Sequence, residues 1–277
     1  MSDSHSSTAG DSEYVAFYDQ RRSETYGDEY TQRAAEEHTL FYPSLRRFID
    51  DYGLETKRCL EIGSSGGCFQ DMVDDYYGTD ISEKLAEHYH KPYRTASGSE
   101  YPFENEMFDA IWTHAVFEHI PDLQTAMDEI VRMLKPGGVL LFFPAWQCRT
   151  WAADGYQVRP YSDFRWKGKL IKASIPIRDS LLWRSFAIFP KRIYRHAKFL
   201  MGRRPKNLQY KKIRPNYETF WISDGDACNS IDPHDAILWF ETYGLQCVSH
   251  PMHAQAFFVR TGGLVFRKQI EADASHS

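Results

Sequence analysis

Between Lys57 and Pro144 short apolar runs alternate with glycine turns and one helical stretch, and this rhythm constrains the fold more than any other feature. Arg58-Cys-Leu-Glu-Ile62, Tyr76-Tyr-Gly-Thr-Asp80, Phe108-Asp-Ala-Ile-Trp-Thr113 and Gly138-Val-Leu-Leu-Phe-Phe143 each read as a strand bounded by turn residues. Before the last of these, Leu123, Ala126, Met127, Ile130, Val131 and Leu134 fall on one face at a 3.6-residue period. Lys135-Pro-Gly-Gly138 is the expected stop of that helix. Strands and helices joined by short links need right-handed crossovers, and hence a parallel sheet. After a long break, Asp232-Pro-His-Asp235 has the N-cap, N1 and N3 pattern of a helix start. That helix runs to Tyr243 with Gly244 as its stop, and 245–250 and 263–268 read as two closing strands. The expected fold is α/β: a doubly wound, seven-stranded, mostly parallel sheet with an antiparallel last strand and a helical, basic cap inserted after the fifth strand.

Length supports this reading. A chain of 277 residues can bury a large core without staples. Its five cysteines are an odd number and form no C-x-x-C pair, which argues against a disulfide framework or zinc ribbon and for a reducing compartment. No apolar run approaches a membrane span, and the first residues lack a secretory pattern, so the expected location is the cytoplasm. The expected organisation is a disordered tail over 1–12, amphipathic helices over 13–56 with Pro43 a candidate helix start, a core over 57–144, the cap over 145–229, closing elements over 230–270 and a tail over 271–277.

The chemistry begins at Leu60-Glu-Ile-Gly-Ser-Ser-Gly-Gly67, a strand that ends in an acid and enters a glycine turn, where the backbone can approach a ligand. Asp80 ends the next strand, 17 residues after Gly63, where a carboxylate can accept both hydroxyls of a ribose.

With these two features in place, the sequence resembles the class I S-adenosylmethionine-dependent methyltransferases of the broad small-molecule group, over roughly 41–144 and again over 232–268. Four stretches carry the resemblance: Leu60 to Gly67, Gly78-Thr-Asp80-Ile-Ser82, Ala96-Ser-Gly-Ser-Glu-Tyr-Pro-Phe103 with Phe108-Asp109, and Leu134-Lys-Pro-Gly-Gly138. The resemblance implies a Rossmann-like methyltransferase fold and S-adenosyl-L-methionine as cofactor. It implies that Glu61 organises the methionine end, that Gly63, Ser65 and Gly67 allow close approach, and that Asp80 with Ile81 takes the ribose. Ser97 and Gly98 would take the adenine, with Thr113 also in the site. Two positions depart from the pattern. Ser65 stands where the family has a middle glycine, and Ser97 where it often has an aspartate. The Asn/Asp-Pro-Pro-Tyr/Phe string of many nucleic-acid and protein amino-group methyltransferases is absent after Thr113, which shifts weight toward a small acceptor.

His114 ends the fourth strand and is the expected catalytic base, because an imidazole titrates in the range such work needs. Glu118 and His119 follow it. A divalent-ion site there is conceivable, but the pair reads more simply as a pin for the local turn, and no metal is expected.

The inserted cap is the most individual part. Residues 165–214 hold 16 Lys and Arg against the single acid Asp179, so this segment is near +15 while the rest of the chain is near −20. Arg203, Arg204 and Lys206 are the expected acceptor-binding cations. The expected function is methyl transfer to an oxygen, less favourably a nitrogen, of a small polar or anionic metabolite, with a phosphorylated or lipid-linked sugar or a natural-product intermediate as the leading ideas. The alternatives are an RNA modifier, an enzyme working at a membrane surface through the cap, and a non-catalytic binding protein. Nucleic acid is not the expected partner, a peripheral membrane contact stays open, and the sequence leaves the oligomeric state unassigned.

Overall fold

The computed structural model describes residues 14–18, 41–98, 100–219, 221–222 and 224–270; the two expected tails lie outside these. Residues 14–18 form a helical turn. Helix α1 (Phe41–Tyr52) has Pro43 as its third described residue. Then come β1 (Arg58–Ile62), β2 (Asp75–Asp80), β3 (Tyr93–Thr95), β4 (Phe108–His114), α2 (Leu123–Met133) and β5 (Leu134–Phe143). The insertion holds α3 (Trp166–Asp179), α4 (Leu181–Leu200) and a ribbon of β6 (Tyr210–Lys212) with β7 (Asn229–Ile231). Helix α5 (Pro233–Thr242), β8 (Leu245–Cys247), α6 (His253–Phe258) and β9 (Leu264–Lys268) close the chain.

The main sheet has seven strands in the order β3-β2-β1-β4-β5-β9-β8. All neighbours from β3 to β5 are parallel, and β9 is antiparallel to both β5 and β8. This is the seven-stranded, mostly parallel sheet with an antiparallel last strand.

The pleat sorts the core into two faces. Cys59, Ala110, Trp112, Val139 and Leu141 point to one face, where α1 packs Phe41, Leu45, Phe48 and Ile49 against them. Leu60, Ile62, Ile111, Leu140 and Phe142 point to the other, under Met127 and Ile130 of α2 and Ile237, Trp239 and Phe240 of α5.

Several elements differ from expectation, among them the β6–β7 ribbon in a cap expected to be helical and β8, which ends at Cys247 rather than at 250. The crossover from β1 to β2 carries only a single turn of 3₁₀ helix, Gln70–Met72, so this layer is thinner than in a fully doubly wound sheet. Strand β5 starts at Leu134 rather than at Gly138. Phe108 pairs with Leu134, the register then shifts, and Ala110 pairs with Val139, so the Lys-Pro-Gly-Gly turn is absorbed as an irregularity at the strand's start. Strand β3 and helix α6 carry no sequence period of their own and were not anticipated. By contrast, the Asp232 side chain accepts from the His234 N–H at the head of α5, as an N-cap should.

Candidate cofactor cavity and basic groove

The parallel strands all end on one side, and a cavity opens there with about 440 Å³ of empty space, its mouth included. Its wall is built from strand ends: Ile62 and Gly63 after β1, Thr79, Asp80 and Ile81 at β2, Ala96 and Gly98 after β3, and Ala115 and Val116 after β4. Tyr101, His119 and Ile120 complete it, with Tyr14 and Tyr18 from the N-terminal turn.

Gly63 has φ +72°, and a Cβ there would stand 2.1 Å from Val116 Cγ2, so no larger residue fits without moving the wall. Ser65 takes φ +49°, the left-handed conformation that a glycine would adopt more freely. Its N–H donates to Asp80 Oδ2 at 2.9 Å, and the Ile81 N–H donates to Asp80 Oδ1 at 2.7 Å. These bonds aim the carboxylate from the strand end.

Glu61 points to the opposite face of β1 and does not line the cavity. The Tyr76 hydroxyl donates to its Oε2 at 2.5 Å. Burial pushes the Glu61 carboxyl up to about 8, against the opposing hydrogen bond from Tyr76, so it is largely protonated at neutral pH. Ser65, Gly67, Ser97 and Thr113 also lie outside the cavity lining, whereas Gly63, Asp80, Ile81 and Gly98 are in it. Gly67 instead abuts Tyr89: a Cβ there would stand 2.8 Å from the Tyr89 ring.

His114 sits at the end of β4, as the sequence implied, but outside the cavity lining. Its ring lies flat on Phe41, centroids 4.2 Å apart, and edge-on to Phe143 at 5.2 Å. The residue is nonetheless exposed to solvent on its remaining side. Desolvation by these neighbours lowers its pKa to about 4, so the ring is neutral at pH 7 but a weaker base than a free imidazole.

Residues 60–142 match the family model described as a methyltransferase domain. This stretch is a class I methyltransferase domain. The cofactor that goes with such a domain is S-adenosylmethionine, and the cavity of this methyltransferase domain suits it. Thr79 Oγ1 is buried against the cavity and has no hydrogen-bond partner among the described residues. Asp80 offers an oriented carboxylate, Gly63 leaves room for close approach, and Ile62, Ile81, Ala96, Val116 and Ile120 give a purine apolar walls. Similar solved structures include YcgJ from Bacillus subtilis, 22% identical over 38% of this chain and 51% of that one, with a TM-score of 0.35. A putative methyltransferase from Bacillus halodurans is 19% identical over 48% of this chain and 68% of that one, with a TM-score of 0.36. A possible histamine N-methyltransferase from Thermotoga maritima is 15% identical over 92% and 99%, with a TM-score of 0.48. The chain spans about half the length of the first of these.

Sequence reasoning did not place Thr79, Tyr101, Tyr14 or Tyr18 in the site, and weighed His119 only as an ion ligand or a pin for the local turn. The Tyr18 hydroxyl donates to Asp226 Oδ2 at 2.7 Å, and its ring stands edge-on to His119 at 6.1 Å, which ties the N-terminal turn over the cavity. The run Tyr14-Val-Ala-Phe-Tyr18 was the available signal, five apolar or aromatic residues between polar flanks.

Behind His119 lies a compact donor cluster. Glu118, His119 and Asp224 each place one potential ligand atom within 4.8 Å of the others. Both Glu118 oxygens are buried without a hydrogen-bond partner among the described residues, and burial raises its pKa.

A second concavity, a groove of about 1410 Å³ open to solvent, lies beyond the end of β5. Arg149, Arg178, Arg184, Lys191, Arg192, Arg195 and Lys211 line it, against the acids Asp232 and Asp235. Arg192 donates to Asp232 Oδ1 at 3.0 Å, and Arg195 pairs with Asp235. Arg203, Arg204 and Lys206 do not line the groove. They follow the end of α4, exposed, and Arg204 stacks over the Phe199 ring at 3.9 Å. The Cys228 and Asn229 N–H groups donate to Glu118 O at 2.9 Å, one residue before His119 of the cavity, and Ser230 and Asp232 of the same stretch line the groove.

Proposed function

We propose that this chain transfers the methyl group of S-adenosylmethionine to an oxygen, or a nitrogen, of a small anionic acceptor that binds in the basic groove. The observation that carries this reading is the cavity at the strand ends with Asp80 and Thr79 turned into its wall, where open parallel sheets bind nucleosides. Bound there, the cofactor supplies a methyl group on a positive sulfur, already activated toward displacement. The chain's own part is alignment and proton acceptance. Asp80 and Thr79 hold the ribose, and the apolar wall excludes water from the base. Arg149, Arg184 and Lys191 fix the acceptor's anionic group, a phosphate or a carboxylate. His114, which lines neither concavity but directly precedes Ala115 and Val116 of the cavity wall, is the group this reading assigns to take the acceptor's proton at a ring nitrogen.

Calorimetric titration with S-adenosylmethionine, followed by mass spectrometry of small molecules co-purified with the chain, tests cofactor and acceptor together. Absence of cofactor binding would overturn the reading. With a working acceptor, the pH profile reports on His114: activity should hold as pH falls through 6 and drop only near about 4, where the ring protonates. His114→Ala should lower kcat by ~10²-fold or more while cofactor affinity stays near wild type. Full activity after EDTA treatment is expected. Loss that magnesium or zinc restores would instead assign Glu118, His119 and Asp224 as ligands.

A further inference from the structure

Helix α4 is inside out. The residues it turns toward the protein are Arg184, Ile188, Arg192, Arg195 and Phe199, and Arg192 is only 1% exposed. The residues it turns outward are Leu182, Phe186, Pro190, Ile193, Ala197 and Leu200, all exposed. At 100° per residue these six fall within an arc of roughly 80°. Leu182 is 84% and Phe186 80% exposed. Helix α3 repeats the pattern: Trp166, Leu170, Ala173 and Ile177 form one exposed stripe, opposite the buried Gly168 and Ile175. A lone exposed leucine needs no explanation, but two consecutive helices with continuous apolar stripes do.

The charges around the stripes say what covers them. Arg165, Lys167, Lys169, Lys191, Arg203, Arg204 and Lys206 are exposed. Asp179, the sole acid of residues 165–214, is taken by Arg149 at 3.0 Å. A second copy packed symmetrically through this same face would bring the same cations against these and repel. An anionic bilayer offers both complements: acyl chains for the stripes and headgroups for the cations, with Trp166 and Trp183 at the boundary. No described helix is long and apolar enough to cross a membrane, and α4, at 20 residues, lies along a surface for about 30 Å.

We propose that the α3–α4 hairpin docks in the interface of an anionic lipid membrane, with the Leu182–Phe186–Ile193 stripe inserted and Arg203, Arg204 and Lys206 on the headgroups. This rests on the hairpin alone and is independent of the methyl-transfer reading.

The test is sedimentation of the full chain with vesicles of phosphatidylcholine alone and with added phosphatidylglycerol. Pelleting with the anionic vesicles, and a blue shift of tryptophan emission quenched by brominated lipid, are expected. The triple variant Leu182→Asn, Phe186→Asn, Ile193→Asn alters exposed side chains outside the groove, so its circular dichroism and melting temperature should match wild type. Its vesicle affinity should fall by at least ~10-fold. Three results would overturn the proposal: no pelleting with anionic vesicles; pelleting that the triple variant leaves unchanged; or self-association, dispersed by the triple variant, without vesicle binding. An acidic protein partner would give the first of these.

Discussion

Strand β5 and helix α4 lie in one chain and obey opposite rules. In β5, Leu140 and Phe142 are completely buried, and water is excluded by apolar surface alone. In α4, a guanidinium is buried and a phenylalanine faces out. The sheet is held by many interchangeable contacts, none of which demands an exact partner. The hairpin is held by a few directional bonds that a single substitution can remove. The sheet's burial is complete within its own chain, whereas the hairpin's outer surface is complete only against something else.

The largest expected effect falls on that directional clamp. Arg192 donates to Asp232, to Phe257 O at 2.6 Å and to Val259 O at 2.8 Å. Arg192→Ala strips Asp232 of its ion pair, leaving it the His234 N–H and the Gln147 amide, removes this donor from two carbonyls, and should cost ~3–5 kcal/mol in denaturant unfolding. A loss under ~1 kcal/mol would mean that the hairpin does not depend on this clamp.

Asp80→Ala should cost the cofactor roughly 1.5–3 kcal/mol, or about ten- to over a hundred-fold in affinity, without unfolding the sheet. Equal affinity by calorimetry would remove Asp80 from the ribose site.

The next effect separates a buried acid in the sheet from the arginines in the cap. Because burial raises the Glu61 carboxyl from 4.5 to about 8, the folded chain holds a proton that the unfolded chain has lost. Stability should therefore fall as pH rises between about 4.5 and about 8. Glu61→Gln should flatten that slope and melt higher than wild type at pH 8. An unaltered slope would show that Glu61 ionises freely in the fold.

The smallest effect distinguishes two sets of cap cations. Arg149→Gln with Arg184→Gln should raise the acceptor's KM. Arg203→Gln, Arg204→Gln and Lys206→Gln together should change it less, because those three lie outside the groove. The reverse order would place the acceptor at the end of α4.

What could be read in advance follows the same division. Strands β1, β4 and β5 were legible because burial on both faces writes a continuous apolar run, and Asp232 and Gly244 because caps have fixed chemistry. Strand β3 was not, since it is a three-residue edge strand with Arg94 and Thr95 exposed and no apolar run. Of the cavity, the local motif around Gly63 and Asp80 was legible. The contributions of Tyr14, Tyr18 and His119 depend on contacts from distant parts of the chain that no spacing records. The cap's excess charge was plain in the sequence, but not its sorting. Choosing Arg203, Arg204 and Lys206 followed their density, whereas the groove collects cations from four separate stretches, 149, 178–184, 191–195 and 211.

The short stretch 228–232, with its backbone bonded to Glu118 on one side and its side chains bordering the groove on the other, makes the two sites thermodynamic neighbours. Any factor by which an occupied cavity changes groove affinity must return, unaltered, as the factor by which an occupied groove changes cavity affinity. Any such coupling between two substrates can therefore be measured from either end.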